Sequence, residues 1–352
     1  MKKNKGTALV AMEKAQKITF YPIVFQATVA AKRLGILDFL SNNKGYSSPE
    51  NISNAVSVST YGVKLLLDML CQIDIVKRNS DDNFSLDDVG YFILHDTQTS
   101  INLDFVHDVC YKGAFHLTES IKDGEPRGLN ELGKWNTIYE GLLDLPEKVQ
   151  ESWFNFDHFY SDMIFTNSLK FVFSSNPSSI MDIGGNTGKF AIEACRYNKD
   201  IHITIVDLEK QLKVSKKNIL NAGFDDRVDF CYKNMLHKNL ELPKEKDVIW
   251  MSQFLDCFSE EEIIHILDAL AKSCNNDTRI LIIETFWDNQ KFNTAEYCLL
   301  GTSLYFTFLA NGNSRMYSEN DFRKIISRTN FKIVNQESIV EYHTLLELKL
   351  KA

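Results

Sequence analysis

The sequence predicts an α/β protein in which a mainly helical N-terminal part precedes a mostly parallel β-sheet. From Pro177 onward, short apolar runs of strand length alternate with helical stretches, as in a sheet covered by helices on both faces. Before that point, apolar residues recur mainly at helical spacing. The 352 residues suffice for about two domains. We expect a first domain at residues 1–100, a helical connector at 101–175 and the sheet domain at 176–352.

Composition and charge argue against several classes of protein. The 44% hydrophobic residues predict a sizeable buried core, and the net charge of −8 disfavours nucleic acid or an anionic membrane as the main partner. No apolar run approaches the roughly 20 residues that span a bilayer. Glu13, Lys14 and Lys17 interrupt the N-terminal apolar stretch, which indicates a short mobile tail rather than a signal peptide.

The seven cysteines predict free thiols in a reducing compartment. Their number is odd, and no CxxC pair or nearby cysteine–histidine cluster has the spacing of metal ligands. We therefore expect no metal site and a cytoplasmic location.

The first hundred residues carry the pattern of a winged helix. A helix is expected at Pro22–Leu40 with Pro22 in its first turn, and Ser47 or Ser48 can cap the next helix. The helix TYGVKLLLDMLCQIDIV follows, and IVKRNSDDNFSLDDVGYFIL then reads as two extended runs joined by a polar turn. Acidic and basic residues nearly balance here and no Lys/Arg stripe marks the second helix, so DNA binding is disfavoured. The apolar helices favour burial against a second subunit, which predicts a homodimer.

The C-terminal part contains seven predicted strands. They are Ile180–Ile183, Ile201–Val206, Val228–Tyr232, Val248–Met251, Ile280–Ile283, Phe331–Val334 and Thr344–Leu350. The helices expected between them are Phe190–Tyr197, Lys210–Ala222, Glu260–Ser273 and Glu319–Thr329, with no clear helix between the third and fourth strands. A short polar connection between the last two strands suggests a terminal antiparallel hairpin.

A glycine-rich loop follows the first of these strands. The segment Asp182-Ile183-Gly184-Gly185-Asn186-Thr187-Gly188 leads into the helix that begins at Phe190. Glycines permit a tight turn and a close approach of a cofactor, and the helix N-terminus offers free N–H groups to a carboxylate or phosphate. Asp207 ends the next strand about twenty residues later, where it can accept hydrogen bonds from ribose hydroxyls. This context predicts a nucleoside cofactor.

NAD and S-adenosylmethionine (SAM) both satisfy this description, and three details favour SAM. The glycines read G-G-x-x-G rather than the G-x-G-x-x-G of dinucleotide sites. Asp182 would repel a pyrophosphate but can receive the cationic amino-acid end of SAM. A terminal antiparallel hairpin is typical of methyltransferases rather than of dehydrogenases.

The segments DIGGNTGKF and IVDLEKQ resemble motif I and the following acidic motif of class I SAM-dependent methyltransferases. From about Ile18 to Leu350, the chain resembles the small-molecule O-methyltransferases of the caffeic acid and hydroxyneurosporene type. That resemblance implies an N-terminal winged-helix dimerisation domain, a helical connector and a C-terminal Rossmann-like domain. The cofactor would be SAM, with S-adenosylhomocysteine as its product.

The resemblance also implies a set of cofactor-binding residues. Asp182 would lie near the amino group of SAM, Asp207 would hold the ribose, and Asn234 stands where the family has an aspartate beside the adenine. The full set is Asp182, Gly184, Gly185, Gly188, Asp207, Leu208, Asn234 and Met235.

The catalytic positions match the family only in part. The family has a base within His-Asp-Trp-Ser, and alignment of FLDCFS on the serine places Asp256 at the histidine position. Glu284 matches the first of two family glutamates, whereas Ser314 stands at the second. An aspartate at its ordinary pKa of about 4 is poorly matched to a phenol at about 10, so a base here needs burial to raise its pKa. The alternatives are that Asp256 caps the helix that begins near Ser259 or that it faces solvent.

Aromatic residues of the connector and of the segment after Glu284 supply a candidate substrate wall. His158 is also a second candidate base, although an isolated histidine is commonly structural. Each aromatic residue can equally belong to the core. The candidates are Trp153, Phe156, His158, Tyr160, Met163, Phe286, Tyr297, Tyr305, Phe308 and Asn311.

The sequence therefore predicts a SAM-dependent methyltransferase acting on a small aromatic or phenolic metabolite, with transfer to oxygen or to an adjacent carbon. The absent histidine leaves open a SAM-binding protein that assists decarboxylation or hydroxylation instead. A non-catalytic winged-helix regulator that senses SAM and an NAD-dependent oxidoreductase are further alternatives.

Overall fold

The computed structural model describes residues 5–351, which divide into two compact units between Val109 and Cys110. No helix in this range is long and apolar enough to cross a membrane. All seven cysteines are free, as expected.

The first unit consists of six α-helices and a two-stranded ribbon. The strands β1 (Val76–Arg78) and β2 (Phe84–Leu86) pair antiparallel, as a winged-helix pattern requires. Apolar side chains of α2, α3, α4 and the ribbon form one buried core. The helices are α1 (Lys5–Arg33), α2 (Ile36–Asn42), α3 (Pro49–Val56), α4 (Thr60–Cys71), α5 (Asp88–His95) and α6 (Thr97–Phe105), followed by a π-helical turn at Val106–Cys110.

The first helix differs from its prediction at both ends. Residues 5–17, expected to be a mobile tail, form the start of α1, and residues 1–4 lie outside the described range. No proline or glycine occurs between residues 7 and 21, so nothing in that stretch ends the helix. Pro22 consequently lies inside α1 rather than in a first turn.

The predicted helix Pro22–Leu40 is also interrupted. It breaks at Gly35, whose φ of +75° is accessible to glycine because no Cβ obstructs it. The second extended run is shorter than expected as well, since β2 ends at Leu86 and α5 follows. Of the two proposed caps, Ser48 caps α3 by accepting a hydrogen bond from the N–H of Asn51.

The second unit begins with helical segments that precede the sheet. The longest of these is α9 (Glu147–Val172), with 26 residues. The others are α7 (Leu117–Asp123), α8 (Ile138–Gly141) and 3₁₀ turns at Gly113–His116, Arg127–Glu131, Leu142–Asp144 and Phe173–Ser175.

The sheet has seven strands close to their predicted positions, except that the strand predicted at Phe331–Val334 continues to Ile339. They are β3 (Ser179–Ile183), β4 (His202–Asp207), β5 (Val228–Tyr232), β6 (Val248–Ser252), β7 (Arg279–Glu284), β8 (Phe331–Ile339) and β9 (His343–Leu350). The helices are α10 (Lys189–Tyr197), α11 (Glu209–Ala222), α12 (Glu260–Ala271), α13 (Asn293–Tyr305) and α14 (Glu319–Ser327), with a 3₁₀ turn at Leu255–Cys257 and a π-helical turn at Phe306–Ala310.

The spatial order of the strands is β5-β4-β3-β6-β7-β9-β8. Strands β3 to β7 pair in parallel, whereas β9 is antiparallel to both β7 and β8. The predicted terminal antiparallel hairpin is therefore confirmed. The crossover from β3 leads to β4 on one side, whereas the chain returns from β5 to β6 on the other side of β3. Ligands of open α/β sheets bind at such a switch point beyond the carboxyl ends of the strands.

Strand periodicity decides which polar residues share a face at that switch point. Ile180 of β3 and Ile205 of β4 belong to the same buried cluster, together with Trp250 of β6. Because every second residue of a strand points to the same face, Asp182 and Asp207 lie on that face at the carboxyl ends of their strands.

Candidate active site

The glycine-rich loop between β3 and α10 depends on its glycines. Gly184 and Gly188 adopt φ angles of +74° and +81°, which strain any other residue. A Cβ at Gly184 would also collide with the ring of Phe254, and one at Gly188 would lie 3.2 Å from the Cβ of Ser215. The Gly188 N–H donates to the Gly185 carbonyl oxygen at 2.8 Å, which closes the turn.

Asp182 presents an unpaired carboxyl oxygen beneath this loop. The residue is only 2% exposed, and its Oδ2 is buried without a hydrogen-bond partner among the described residues. A Cβ at Gly185 would lie 2.6 Å from that oxygen, so glycine keeps the space over the carboxyl open. Burial, with a contribution from the charge of Asp207, raises the pKa of Asp182 to about 8.

Asp207 is held by hydrogen bonds from the glycine-rich loop and from the residue that follows it in the chain. Its Oδ2 accepts a hydrogen bond from the backbone N–H of Asn186 at 2.8 Å, and its Oδ1 accepts one from the N–H of Leu208 at 2.7 Å. Burial raises the pKa of Asp207 to about 6, opposed by those two hydrogen bonds. The carboxylate is thus fixed against the glycine-rich loop, and each oxygen keeps a lone pair for a further donor.

Asp256 and Glu284 meet at the ends of β6 and β7. One oxygen of Glu284 accepts hydrogen bonds from the backbone N–H groups of Phe254 and Leu255, at 3.2 and 2.8 Å. Its Oε2 is buried without a partner among the described residues. Asp256 lies in the following 3₁₀ turn, is 6% exposed, and accepts a weak hydrogen bond from the Cys257 thiol at 3.5 Å.

Burial controls the ionisation of this pair. It raises the pKa of Asp256 to about 6, and it raises the pKa of Glu284 well above its ordinary value, with the charge of Asp256 adding to the effect. The alternative role of Asp256 as a helix cap does not apply. Ser259 caps α12 through a reciprocal capping box with Glu262.

Asn311 connects a third segment to the turn that carries Asp256. Its Nδ2 donates to the carbonyl oxygen of Cys257 at 2.6 Å and to the Oγ of Ser314 at 2.8 Å. Its Oδ1 accepts from the backbone N–H of Ser314 at 3.2 Å. The amide of Asn311, expected to be a polar contact for the substrate, is thus committed to hydrogen bonds within the protein.

Helix α9 adds a carboxyl group to the same region. The Oδ2 of Asp157 accepts a hydrogen bond from the Nδ2 of Asn186 at 3.3 Å, in the glycine-rich loop. Burial and the charges of Asp162 and Asp256 raise the pKa of Asp157 to about 7. The neighbouring His158 has a buried Nε2 without a partner among the described residues, and burial together with Lys189 lowers its pKa.

A cofactor cradle, a buried acidic pair and a doubly wound sheet thus converge in the second unit. A family model described as the O-methyltransferase domain matches residues 146–332, more than half of the chain. The chain belongs to this O-methyltransferase family. A second model, described as a Dimerisation2-like domain, matches residues 13–84.

Individual relatives of this methyltransferase are distant but cover most of the chain. An L-tyrosine C(3)-methyltransferase of Streptomyces lavendulae is 21% identical over 338 residues, covering 93% of this chain and 88% of the relative. Acetylserotonin O-methyltransferase of Homo sapiens is 22% identical over 284 residues, covering 76% and 79%.

Solved structures share the fold. The structure of mitomycin 7-O-methyltransferase matches with a TM-score of 0.74 at 16% identity, covering 99% of this chain and all of the other. An O-methyltransferase from neocarzinostatin biosynthesis, solved with SAM and 2-hydroxy-5-methyl naphthoic acid, matches with a TM-score of 0.70 at 17% identity, covering 93% and 96%.

The cofactor of the methyltransferase is SAM, and the residues at the loop fit it. The orphan Oδ2 of Asp182 suits the ammonium group of the methionine part, which supplies the missing donor. The free lone pairs of Asp207 suit two ribose hydroxyls. The space above Asp182 that a Cβ at Gly185 would fill is the room such a ligand needs.

The other three expected cofactor residues lie in different environments, one beside Asp207, one on the surface and one in the core. Leu208 precedes α11 directly and is half-buried beside Asp207. Asn234 is exposed, and its Oδ1 accepts a hydrogen bond from the backbone N–H of Leu236 at 2.9 Å. Met235 is buried in the core of the sheet.

The structure brings together some of the expected wall residues. Trp153 donates from Nε1 to the hydroxyl of Tyr305 at 2.9 Å, and both are buried. The ring of Phe308 packs against Tyr305, with 6.5 Å between centroids. Phe156 and Tyr160 form a second pair on α9, with ring centroids 5.0 Å apart.

Three expected wall residues lie elsewhere. Phe286 is 1% exposed and packs against Phe322 in the core, and Met163 packs against the cluster on the other face of the sheet. Tyr297 is 76% exposed on α13. Their apolar spacing is compatible with wall, core or surface, and the sequence alone does not separate these locations.

Two polar residues of the site were missed by the sequence analysis. Asp157 directly precedes the candidate base His158, but an aspartate on a helix usually faces solvent, so the sequence gives no signal for it. Ser252 ends β6, and its Oγ is buried without a partner among the described residues. Its position at the carboxyl end of a buried parallel strand is the signal that could have identified it.

Proposed function

We propose that the methyltransferase transfers a methyl group from SAM to a small aromatic acceptor with a phenolic hydroxyl group, and that Asp256 is the base. The observation that carries this proposal is the buried Asp256 beside the cofactor loop. Phe254, two residues earlier, touches Gly184, so the two segments are in direct contact. The relatives that act on tyrosine and acetylserotonin support an aromatic acceptor.

SAM supplies an electrophilic methyl group on a sulfonium, which leaves as a neutral thioether. The protein has to align the acceptor oxygen with that methyl group and remove one proton. With a pKa of about 6, the carboxylate of Asp256 is mostly ionised at about pH 7 and is more basic than an ordinary aspartate. The hydroxyl proton passes to Asp256 as the new oxygen–carbon bond forms.

Glu284 would act as a positioning residue in this scheme. Burial raises its pKa well above the ordinary value, and its Oε1 accepts hydrogen bonds from the backbone N–H groups of Phe254 and Leu255, which lead to Asp256. Transfer to a carbon next to the phenol hydroxyl needs the same removal of the hydroxyl proton, which also makes that carbon nucleophilic, but with the carbon instead of the oxygen aligned with the methyl group. The position of the methyl group in the product distinguishes the two outcomes.

The proposal is tested by incubating the protein with SAM and a panel of phenols, and by following S-adenosylhomocysteine and the methylated product by mass spectrometry. Asp256→Asn should lower kcat by about 10² to 10⁴-fold, the usual contribution of a general base. Its affinity for S-adenosylhomocysteine should stay unchanged. Asp277→Asn, the same change at an exposed position, is the matched control. Full turnover in Asp256→Asn would show that the assigned base is wrong, and full turnover in Glu284→Gln would show that Glu284 does not position it.

We also infer that the protein assembles as a homodimer through its first unit. Helix α1 exposes a series of large apolar side chains, each more than half exposed, which a single chain does not bury. The match to a Dimerisation2-like domain supports the same surface. The side chains are Leu9, Val10, Met12, Ile18, Phe20, Tyr21 and Ile23.

Sedimentation of wild type and of an α1 variant tests the dimer. Ile23→Asp should shift the mass towards that of one chain, because a charge would be buried in the interface. Val340→Asp, an apolar-to-acidic change in the turn between β8 and β9, should leave the mass unchanged. A wild-type protein that sediments as a single chain would refute the inference.

A further inference from the structure

The site contains more carboxyl groups than the ammonium group and ribose of SAM can pair with. Asp182 faces the place of the ammonium group, Asp207 faces the ribose, and Asp162 forms an ion pair with Lys189. Asp157, Asp256 and Glu284 remain. Within residues 5–351, the charge of Lys189 acts on Asp157, but Lys189 forms its ion pair with Asp162 and not with any of these three.

Asp157 is an incompletely paired carboxyl group. Its Oδ2 accepts a hydrogen bond from the neutral amide of Asn186, at the long distance of 3.3 Å. The side chain is half-buried, and a carboxylate that is partly removed from water is stabilised by a cation or by further donors. The neighbouring cation, Lys189, is already bound to Asp162.

Glu284 provides a second, independent indication of a ligand. The residue is 2% exposed, and its Oε2 has no hydrogen-bond partner in the described chain although its Oε1 has two. Buried polar atoms are nearly always hydrogen-bonded in folded proteins. The free oxygen lies under the turn that carries Asp256, so the missing partner belongs to the acceptor side of the site.

We propose that the acceptor is a phenol that also carries a cationic amine, with Asp157 binding the ammonium group while Asp256 faces the hydroxyl. This inference rests on the proposed function and narrows its substrate class. An ammonium group supplies Asp157 with the charge-assisted donor that the protein does not provide. An acceptor with a carboxylate would instead face the uncompensated charge of Asp157 and Asp256.

Three phenols of similar size separate the effect of charge from that of shape. Tyramine carries an ammonium group, 4-ethylphenol is its neutral counterpart, and 3-(4-hydroxyphenyl)propanoate carries a carboxylate. Calorimetric titration into the complex with S-adenosylhomocysteine measures binding without turnover. We expect tyramine to bind at least about tenfold more tightly than 4-ethylphenol, the usual effect of a hydrogen bond to a charged group. The carboxylate compound should bind more weakly than both.

Asp157→Asn should remove the preference for tyramine and leave the affinities for 4-ethylphenol and S-adenosylhomocysteine unchanged. Glu151→Gln, on the same helix but exposed and paired with Lys148, should keep the preference. Unchanged binding of S-adenosylhomocysteine shows that Asp157→Asn is folded. The wild-type series tests the preference for an ammonium group independently of that variant, and the variant tests its assignment to Asp157.

Equal affinity for the three phenols, or a preference for tyramine that survives Asp157→Asn, would overturn the inference. A preference for SAM over S-adenosylhomocysteine without discrimination among the phenols would also overturn it, because the acidic groups would then serve the sulfonium alone. If no phenol is methylated while the preference for tyramine persists, the proposed function is refuted but the inferred ammonium site is not. Methylation of 4-ethylphenol without any preference for tyramine would support the proposed function and overturn the inference of a cationic acceptor.

Discussion

Binding of SAM should release a proton from Asp182. The pKa of about 8 means that about nine-tenths of the unliganded molecules carry a protonated Asp182 at about pH 7. An ammonium group at the orphan Oδ2 favours the carboxylate and lowers that pKa. We therefore expect about 0.9 proton to leave Asp182 for each SAM bound near pH 7.

Calorimetry in two buffers of different ionisation enthalpy, phosphate and Tris, measures this number directly. The apparent binding enthalpy changes between the buffers in proportion to the protons released. Asp182→Asn cannot release this proton, so its enthalpy should be nearly independent of the buffer. Its affinity should fall by about 10 to 100-fold, since a charge-assisted hydrogen bond is replaced by a neutral one. Asp225→Asn, at an exposed position, is the control.

The affinity of the wild type should also depend on pH. Binding requires the carboxylate, which is the minor form below pH 8, so SAM should bind about tenfold more tightly at pH 7 than at pH 6. The Asp182→Asn variant should lose most of this dependence. Proton release that is absent in the wild type, or equal in the variant, would refute the assignment of Asp182 to the ammonium group.

Three further changes test other parts of the site. Gly185→Ala should weaken S-adenosylhomocysteine binding by at least about tenfold, since the Cβ would lie 2.6 Å from Asp182, whereas Gly301→Ala in the open middle of α13 should leave binding unchanged. Asn311→Ala should lower kcat and broaden the pH profile of turnover by loosening the turn at Cys257, without changing S-adenosylhomocysteine affinity, and an unchanged kcat would contradict this role. The unliganded wild type should lose thermal stability as the pH rises from about 4 to about 8. The pKa of Asp182 is higher in the folded than in the unfolded chain, so ionisation of Asp182 over this range destabilises the folded state. Thermal denaturation of Asp182→Asn should show a flatter profile, and identical profiles would count against the raised pKa.

Much of the sheet could be predicted from the sequence because its strands are buried on both faces. Runs such as Ile280–Ile283 carry no polar residue, and β7 extends that run by one residue at each end. The glycine-rich loop and the acid of β4 were predictable for a related reason. Their spacing is set by the geometry of one strand–helix–strand unit, which is local in sequence.

The remainder of the site depends on contacts between distant segments. The hydrogen bonds from Asn186 to Asp157 and from Asn311 to Cys257 join residues 29 and 54 positions apart, and no periodicity announces them. The burial of Phe286 against Phe322 depends on how α14 packs on the sheet. At the N-terminus, helix propensity over residues 7–21 decided the extent of α1, while the prediction gave too much weight to Pro22.

Asp256 stands where the O-methyltransferases that this sequence resembles have a histidine base, and this difference changes the charge balance of the reaction. A histidine base is neutral before proton transfer and cationic afterwards, whereas an aspartate is anionic before and neutral afterwards. Methyl transfer removes the positive charge of the sulfonium and the negative charge of Asp256 together, so the net charge around Asp157 is the same in the substrate and product complexes and is one cation short in both. An ammonium group on the acceptor persists through the reaction and keeps Asp157 compensated on both sides of the transition state. The same substitution that replaces the base therefore gives a physical reason for an acceptor with a fixed positive charge.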